Sequence, residues 1–315
     1  MSGKRLFITG ISGFIGTHLA KEGLRRGYEV SGLDTRPCGL EGIGFTKADI
    51  NDKEAVESAI KGADCVIHLA AVTASVEFTR RMKECYTTNV GGFLNVIDAS
   101  ARSGCKRFLY ASSSAVYLDD FSEDAVIDIK KQGNHYAKSK LVDEIIALSY
   151  QSLFGMKTIG LRYFNTYGPL GVEKGEYANL INTFIKCKLE GKPLVIYGDG
   201  SQRRDNIYID DAVALTYEVL ENGTESIYNI GSGTDSSFRE IAELIDKDGI
   251  KHIDNPIPKE QYQYFTKADT SRILGLAKGF RFTGIREGIA RTLQYYRSNP
   301  YISSREAHQN NLQKR

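Results

Sequence analysis

The chain predicts an α/β protein, a doubly wound parallel sheet with a smaller mixed α/β lobe, and three observations carry that prediction. Up to about residue 165, short β-branched apolar runs alternate with longer helical patterns. The first run leads into a turn whose glycines recur at every third position, Gly10, Gly13 and Gly16. After Tyr167-Gly168-Pro169 the rhythm gives way to glycine-punctuated loops and shorter elements. The alternation is that of βαβ units, whose right-handed crossovers lay the strands parallel and cover both faces of the sheet.

Taken in order, strands are expected over 5–9, 29–33, 65–69, 107–111 and 157–162, where Val, Ile, Leu or Phe cluster between polar or glycine boundaries. The intervening stretches 17–26, 53–60, 88–103 and 138–154 carry helical spacing. Residues 1–168 therefore read as one domain and 169–300 as mainly a second lobe, in which 207–209 and 227–230 are strands free to return to either part. The polar stretch 301–315 reads as a frayed tail.

Of 315 residues, 41 are basic and 39 acidic, a net charge of +2, and 41% are hydrophobic. The basic residues cluster only as pairs, Arg25-Arg26, Arg80-Arg81 and Arg203-Arg204, so no stripe exists for tracking nucleic-acid phosphates. The longest apolar run, near 65–72, is broken by His68 and falls short of the roughly 20 residues of a membrane span. The N-terminus enters its first strand without a signal-type segment, which predicts a cytoplasmic protein. Five scattered cysteines without a Cys-x-x-Cys pair favour neither disulfides nor a metal site.

A strand running into Gly10-Ile11-Ser12-Gly13-Phe14-Ile15-Gly16 and then a helix bares backbone N–H groups where a pyrophosphate sits at a helix N-terminus. A tight βα turn alone also wants glycine. Asp34, 18 residues past Gly16 at the end of the next strand, adds an acceptor for ribose hydroxyls that repels a 2'-phosphate. NAD is thus favoured over NADP, with Arg36 opposing that preference. Asp49-Ile50 either holds the adenine edge or, through Asp49, starts a helix. Leu69-Ala70-Ala71 ends a strand on small residues, which suits a dinucleotide passing above or simple packing.

Tyr136 and Lys140 stand four apart, on one face of a helix. An ammonium one turn from a phenol favours the phenolate, which makes Tyr136 a candidate general base. Such a pair is also common on solvated faces. Its partner is upstream, where the strand Phe108-Leu109-Tyr110-Ala111 ends in Ser112-Ser113-Ser114-Ala115-Val116-Tyr117.

The glycine turn, Asp34, His68-Leu69-Ala70-Ala71, Asn89, the Ser112 to Tyr117 run and Tyr136/Lys140 precede Arg162-Tyr163-Phe164-Asn165-x-Tyr167-Gly168-Pro169 and the run Tyr197 to Asp205. In this order, over nearly the whole chain, they resemble the extended short-chain dehydrogenase/reductase family of nucleotide-sugar epimerases and dehydratases. The resemblance implies a Rossmann-type NAD-binding domain and a substrate-binding lobe. It implies Tyr136 as acid/base, Lys140 as its partner and ribose ligand, and Ser113 as the hydroxyl bonding the sugar oxygen. Cofactor contacts fall on Gly10, Gly13, Phe14, Ile15, Gly16, Asp34, Asp49, Ile50, Leu69, Ala70, Ala71, Asn89 and Phe164. Nucleotide-sugar contacts fall on Asn165, Asn179, Leu180, Tyr197 and Arg204, whose forked guanidinium suits a diphosphate unless Asp205 or Asp210 takes it. Lys259 stands near a family arginine that reaches the pyrophosphate. A homodimer through 88–103 and 138–154 is implied as well.

Two departures bear on the chemistry. Leu118 follows Tyr117 where the family often has glycine, and Gln132-Gly133-Asn134-His135 replaces a Pro-Ser-Pro approach to the tyrosine. Family dehydratases carry Asp-Glu directly after the catalytic Ser/Thr, and related decarboxylases a Glu at the second position. Here those positions are Ser114-Ala115, which leaves UDP-hexose 4-epimerisation through a transient 4-keto sugar. Glu173-Lys174-Gly175 and the run 261–269 are similar to ADP-heptose 6-epimerases, a second reading. A non-catalytic NAD-binding regulatory protein is the third.

Overall fold

The computed structural model describes residues 3–255 and 264–299. Its first part alternates as β1 (Arg5–Thr9), α1 (Phe14–Arg25), β2 (Glu29–Asp34), β3 (Gly44–Lys47), α2 (Lys53–Ile60), β4 (Cys65–His68), α3 (Ser75–Arg80), α4 (Met82–Tyr86), α5 (Phe93–Arg102), β5 (Arg107–Ser113), α6 (His135–Phe154) and β6 (Lys157–Tyr163). Then follow β7 (Asn165–Tyr167), α7 (Leu180–Leu189), β8 (Leu194–Tyr197), β9 (Arg203–Tyr208), α8 (Ile209–Asn222), β10 (Ile227–Ile230), β11 (Asp235–Ser237), α9 (Phe238–Asp246), β12 (Ile250–Ile253), α10 (Ser271–Leu276) and α11 (Ile285–Ser298).

Seven strands form one sheet in the order β10-β6-β5-β4-β1-β2-β3, with every pairing parallel. Strand order reverses between β1 and β4, and in doubly wound sheets ligands bind in the crevice beyond the strand ends at that point. Period-two alternation sorts the strand side chains to two faces. Leu6, Ile8, Ile67, Leu109 and Ile159 face the main core with α1 and α8. Phe7, Val66, Phe108 and Tyr110 face a second core with α2, α5 and α6. Truncating one of these buried aliphatics to alanine costs about 2–5 kcal/mol.

The second part supplies a three-stranded sheet, β11-β9-β7, and a two-stranded sheet, β12-β8. The chain also returns to the large sheet, because β10 pairs with β6. Helix α8 packs on α1, where the Tyr217 hydroxyl donates to the Leu19 carbonyl (2.7 Å) above a gap left by Gly23. Two expected elements change shape. The strand expected at 207–209 runs Arg203–Tyr208, with Ile209 opening α8, and the helix expected over 88–103 starts as a π-helical turn, Thr87–Gly92.

Candidate active site

At the reversal point β1 runs into Gly10, which adopts a left-handed φ of 70°. A Cβ there would come within 2.9 Å of the Ala70 nitrogen at the exit of β4, so only glycine lets the two strand ends approach. At Gly16 a Cβ would stand 2.2 Å from the Gly10 carbonyl, so the helix closes directly onto the turn. Gly13 is the N-cap of α1, with no side-chain cap. The N–H groups at Phe14 and Ile15 thus open a twelve-residue helix whose positive end suits a phosphate. The Thr9 hydroxyl accepts from the Leu69 and Ala70 N–H groups, both at 3.2 Å, and lies 2.8 Å from His68 Nδ1, which fixes where Leu69-Ala70-Ala71 leave the sheet.

Asp34 ends β2 beside this turn. Its carboxylate accepts the Ser12 N–H (3.1 Å) and the Arg36 N–H (2.9 Å). The Arg36 guanidinium reaches back to the Ser12 carbonyl (3.1 Å) with Nε 3.7 Å from Asp34 Oδ1. Together the bared helix end, the Gly10 turn and the acidic strand end fit a dinucleotide.

The catalytic candidates stand on β5 and α6. Ser113 ends β5, and its Oγ accepts the Ala115 N–H (3.1 Å) as N-cap of a 3-10 turn, Ser114–Val116. An oxygen used as acceptor on the chain side keeps its proton for a ligand. Tyr136 lies in the first turn of α6, its ring edge-on to Phe78 with centroids 6.1 Å apart. Asn134 caps that helix by accepting the Tyr136 and Ala137 N–H groups, so it begins at His135, three residues earlier than the spacing predicted. Gln132, buried, donates from Nε2 to the Ala115 and Val116 carbonyls (3.0 and 3.1 Å) and accepts the Asn134 N–H (3.0 Å). The segment that departs from the family pattern thus staples the Ser113 turn to the Tyr136 helix. Lys140 points inward rather than to a free edge: Nζ donates to Asp143 Oδ2 at 3.2 Å, and the two side chains are 2% and 0% exposed.

The nucleotide-sugar candidates are distributed over the second part. Asn165 on β7 and Arg204 on β9 belong to one sheet, β7 and β9 being parallel neighbours. Asn165 donates to the Asp205 carbonyl (3.1 Å). Arg204 donates to the Arg203 carbonyl and lies over the Phe238 ring, 5.5 Å from its centroid. The alternative pairing with Asp205 is not made. That buried carboxylate accepts the Ser232, Gly233 and Ala268 N–H groups and the Ser232 hydroxyl, while burial raises its pKa. Asn179 caps α7 through Asn182 and donates to the Thr166 carbonyl, and Leu180 opens that helix, packed against the main core. Tyr197 ends β8 in the separate two-stranded sheet. Lys259 lies outside the described residues, as do 261–263 of the heptose-like run.

Four of the residues expected to meet the cofactor have side chains that the fold itself engages or that are exposed. Asn89 is fully buried, and its amide is spent on the Val72 N–H and carbonyl (2.8 and 3.0 Å) and on Ser139 Oγ (3.0 Å), so it holds the segment after β4. The Ile50 side chain is buried in the second core, filling a space that a Gly92 side chain would occupy. Phe164 is buried among Tyr117, Phe121 and Ala268. Asp49 is exposed and accepts from Asn51, while the cap of α2 is Asp52. Sequence reasoning passed over Thr9 and Asp143, and named Gln132 only as a departure without a role. Gln132 carried a signal, standing where a proline is the family habit.

A bared helix N-terminus at the reversal point of a parallel sheet, with Ser113 ending β5 and Tyr136 and Lys140 on α6, fits a dinucleotide-dependent enzyme of the Rossmann class. Residues 6–231 match the NAD dependent epimerase/dehydratase family, and the chain belongs to it. It is 32% identical to a UDP-N-acetyl-alpha-D-glucosaminuronate decarboxylase of Bacillus cytotoxicus over 93% of this chain and 98% of the relative. It is 29% identical to a UDP-glucuronate 4-epimerase of Thermodesulfobacterium geofontis over 93% and 96%. Among solved structures, a UDP-glucose 4-epimerase of Thermotoga maritima with UDP-glucose superposes with a TM-score of 0.85 at 25% identity, covering 94% of this chain and all of that one.

Proposed function

We propose that the protein is an epimerase of a nucleotide-diphosphate sugar, acting first of all as a UDP-hexose 4-epimerase. Tyr136 takes and returns the proton of the sugar hydroxyl, Ser113 donates to the sugar oxygen, and Lys140, one helical turn on from Tyr136, supplies the cation. NAD, held at the glycine turn and Asp34, supplies a reversible hydride acceptor. Ala115 is the observation that carries the choice of reaction, because the 3-10 turn beside Ser113 holds no carboxylate. Of the buried carboxylates nearby, Glu144 is held by Ser112 and Arg162 (2.6 and 2.8 Å), Glu123 accepts the Asn229 N–H (3.0 Å), and Asp143 is paired with Lys140. Asp120 closes a local turn on the Ser122 N–H. A transient ketone then has one simple outcome, return of hydrogen to its other face.

The decarboxylase among the relatives supports a second reading, in which a uronic-acid substrate loses carbon dioxide from the ketone stage. Incubation with UDP-glucose, UDP-N-acetylglucosamine and UDP-glucuronate, alongside GDP-, CDP- and ADP-sugars, with products resolved by NMR and mass, separates the readings. Inversion at C4 without mass change, a C4 deuterium being retained, is expected. Loss of carbon dioxide or water, or inversion of a heptose at C6, overturns it. Tyr136→Phe lowers turnover roughly 100- to 10,000-fold with NAD binding kept; unchanged turnover removes Tyr136 from the role. We also propose a homodimer in which a second copy covers the exposed apolar residues Ile145, Leu148, Leu153 and Phe154 of α6 and Leu94 of α5. Light scattering on the eluted protein tests it, a monomer mass being the contrary result.

A further inference from the structure

We propose that Asp143 is a positioning residue that sets the charge Tyr136 experiences, by holding the Lys140 ammonium as one half of a buried ion pair. The proposal rests on the reading of Tyr136 and Lys140 as base and partner. On an exposed helix an i,i+3 pair is worth a few tenths of a kcal/mol. This one is sealed from water, with the side chains 2% and 0% exposed, so neither charge has solvent to turn to and each depends on the other. Asp143 Oδ1 has no hydrogen-bond partner among the described residues, which leaves Lys140 as the cation it answers to.

The charged and titratable groups around the pair lie on α6, β4, β5 and β6. Glu144, next along α6, is held by Ser112 and by Arg162 of β6. His68 of β4 is kept neutral, its pKa lowered to about 3 by burial and by Lys140. Tyr110 of β5 is raised by burial and by the Glu144 and Asp143 charges. From the π-helical turn, Asn89 presents a neutral amide to Ser139. Burial pushes the Asp143 carboxyl up to about 7 against the pull of Lys140. With Asp143 ionised, the pair is neutral and the field of the ammonium at Tyr136 is partly cancelled. With Asp143 uncharged, the ammonium acts alone and favours the phenolate.

The test is the pH profile of kcat/KM for UDP-glucose or whichever UDP-sugar the panel identifies, together with the near-ultraviolet phenolate titration of wild type minus Tyr136→Phe, measured without substrate. Asp143→Asn keeps the shape and removes the charge. It moves the acid limb and the phenolate titration to lower pH by about one unit, and Asp143→Glu restores the wild-type limb. A purely structural role moves neither, and unmoved limbs in a folded Asp143→Asn protein overturn the proposal. Should Asp143→Asn not fold, Lys140→Met is compared with Lys140→Met/Asp143→Leu. Acting through Lys140, Asp143 adds no further shift, and an additional shift in the double variant overturns the proposal. Undiminished turnover in Tyr136→Phe sinks the underlying reading instead, which keeps the two failures apart.

Discussion

The candidate cofactor groups are backbone N–H groups bared by Gly10, Gly13 and Gly16, whereas the candidate substrate groups are side chains already bonded to their own lobe. Asn165 holds the Asp205 carbonyl, Asn179 caps α7, and Arg204 lies over Phe238. A backbone site tolerates no added atom, because the space it uses is the space of a missing Cβ. A side-chain site can exchange one partner for another as a ligand arrives. The first kind of site therefore fails on insertion, and the second on removal.

The largest effect expected from this contrast is at Gly10. Gly10→Ala forces an L-residue into a φ of 70° with its Cβ against the Ala70 backbone, at a cost of about 1–3 kcal/mol. NAD affinity falls by up to about 100-fold and the Tm drops, as calorimetric titration and thermal melting would show; a variant with native affinity would mean that the turn does not carry the pyrophosphate. On the substrate side Arg204→Leu removes a charge-assisted donor worth about 1.5–3 kcal/mol. KM for the UDP-sugar rises about 10- to 100-fold while NAD affinity and Tm stay near wild type. A loss confined to stability would assign Arg204 to packing on Phe238.

Between the two sides lies Gln132, whose three hydrogen bonds tie the Ser113 turn to the Tyr136 helix. Gln132→Ala loses about 1–3 kcal/mol of such bonding, and the loosened geometry lowers kcat about tenfold with KM for NAD unchanged. Gln132→Glu is informative, since a carboxylate still accepts the Asn134 N–H but cannot donate to the Ala115 and Val116 carbonyls. Full activity in both variants would show that α6 and β5 hold the pair without the staple.

The same contrast explains what was legible beforehand. Strands β1, β4, β5 and β6 were readable because buried parallel strands are continuous apolar runs, and the glycine turn because close backbone approach admits one residue type. The burial of Asn89 and Phe164 was not readable because their identity fits a cofactor contact and a core position equally well. The π-helical turn that sinks Asn89 into the interior has no periodic signature. Asp143 was missed for a different reason: an Asp three residues past a Lys reads as a surface pair, and only α6 lying against β5 and β6 turns it into a buried one.

The smallest effect concerns Arg36, a side chain that reaches over the turn. Its guanidinium is exposed, bonded to the Ser12 carbonyl and 3.7 Å from Asp34, so its worth to the fold is that of a screened surface pair, about 0–1 kcal/mol. Its worth to selectivity is a matter of sign. Asp34, buried and already accepting two backbone N–H groups, repels a 2'-phosphate from below, while Arg36 attracts it from the solvent side. Arg36→Ala therefore leaves NAD affinity within about threefold and weakens NADP more, widening the preference for NAD by roughly the fivefold that 1 kcal/mol represents. Parallel titrations with the two nucleotides at low and high salt read this directly, because the contribution of an exposed cation to phosphate binding fades as salt screens it. If NADP affinity is unchanged by the substitution and insensitive to salt, Arg36 does not face the ribose phosphate, and the preference belongs to Asp34 alone.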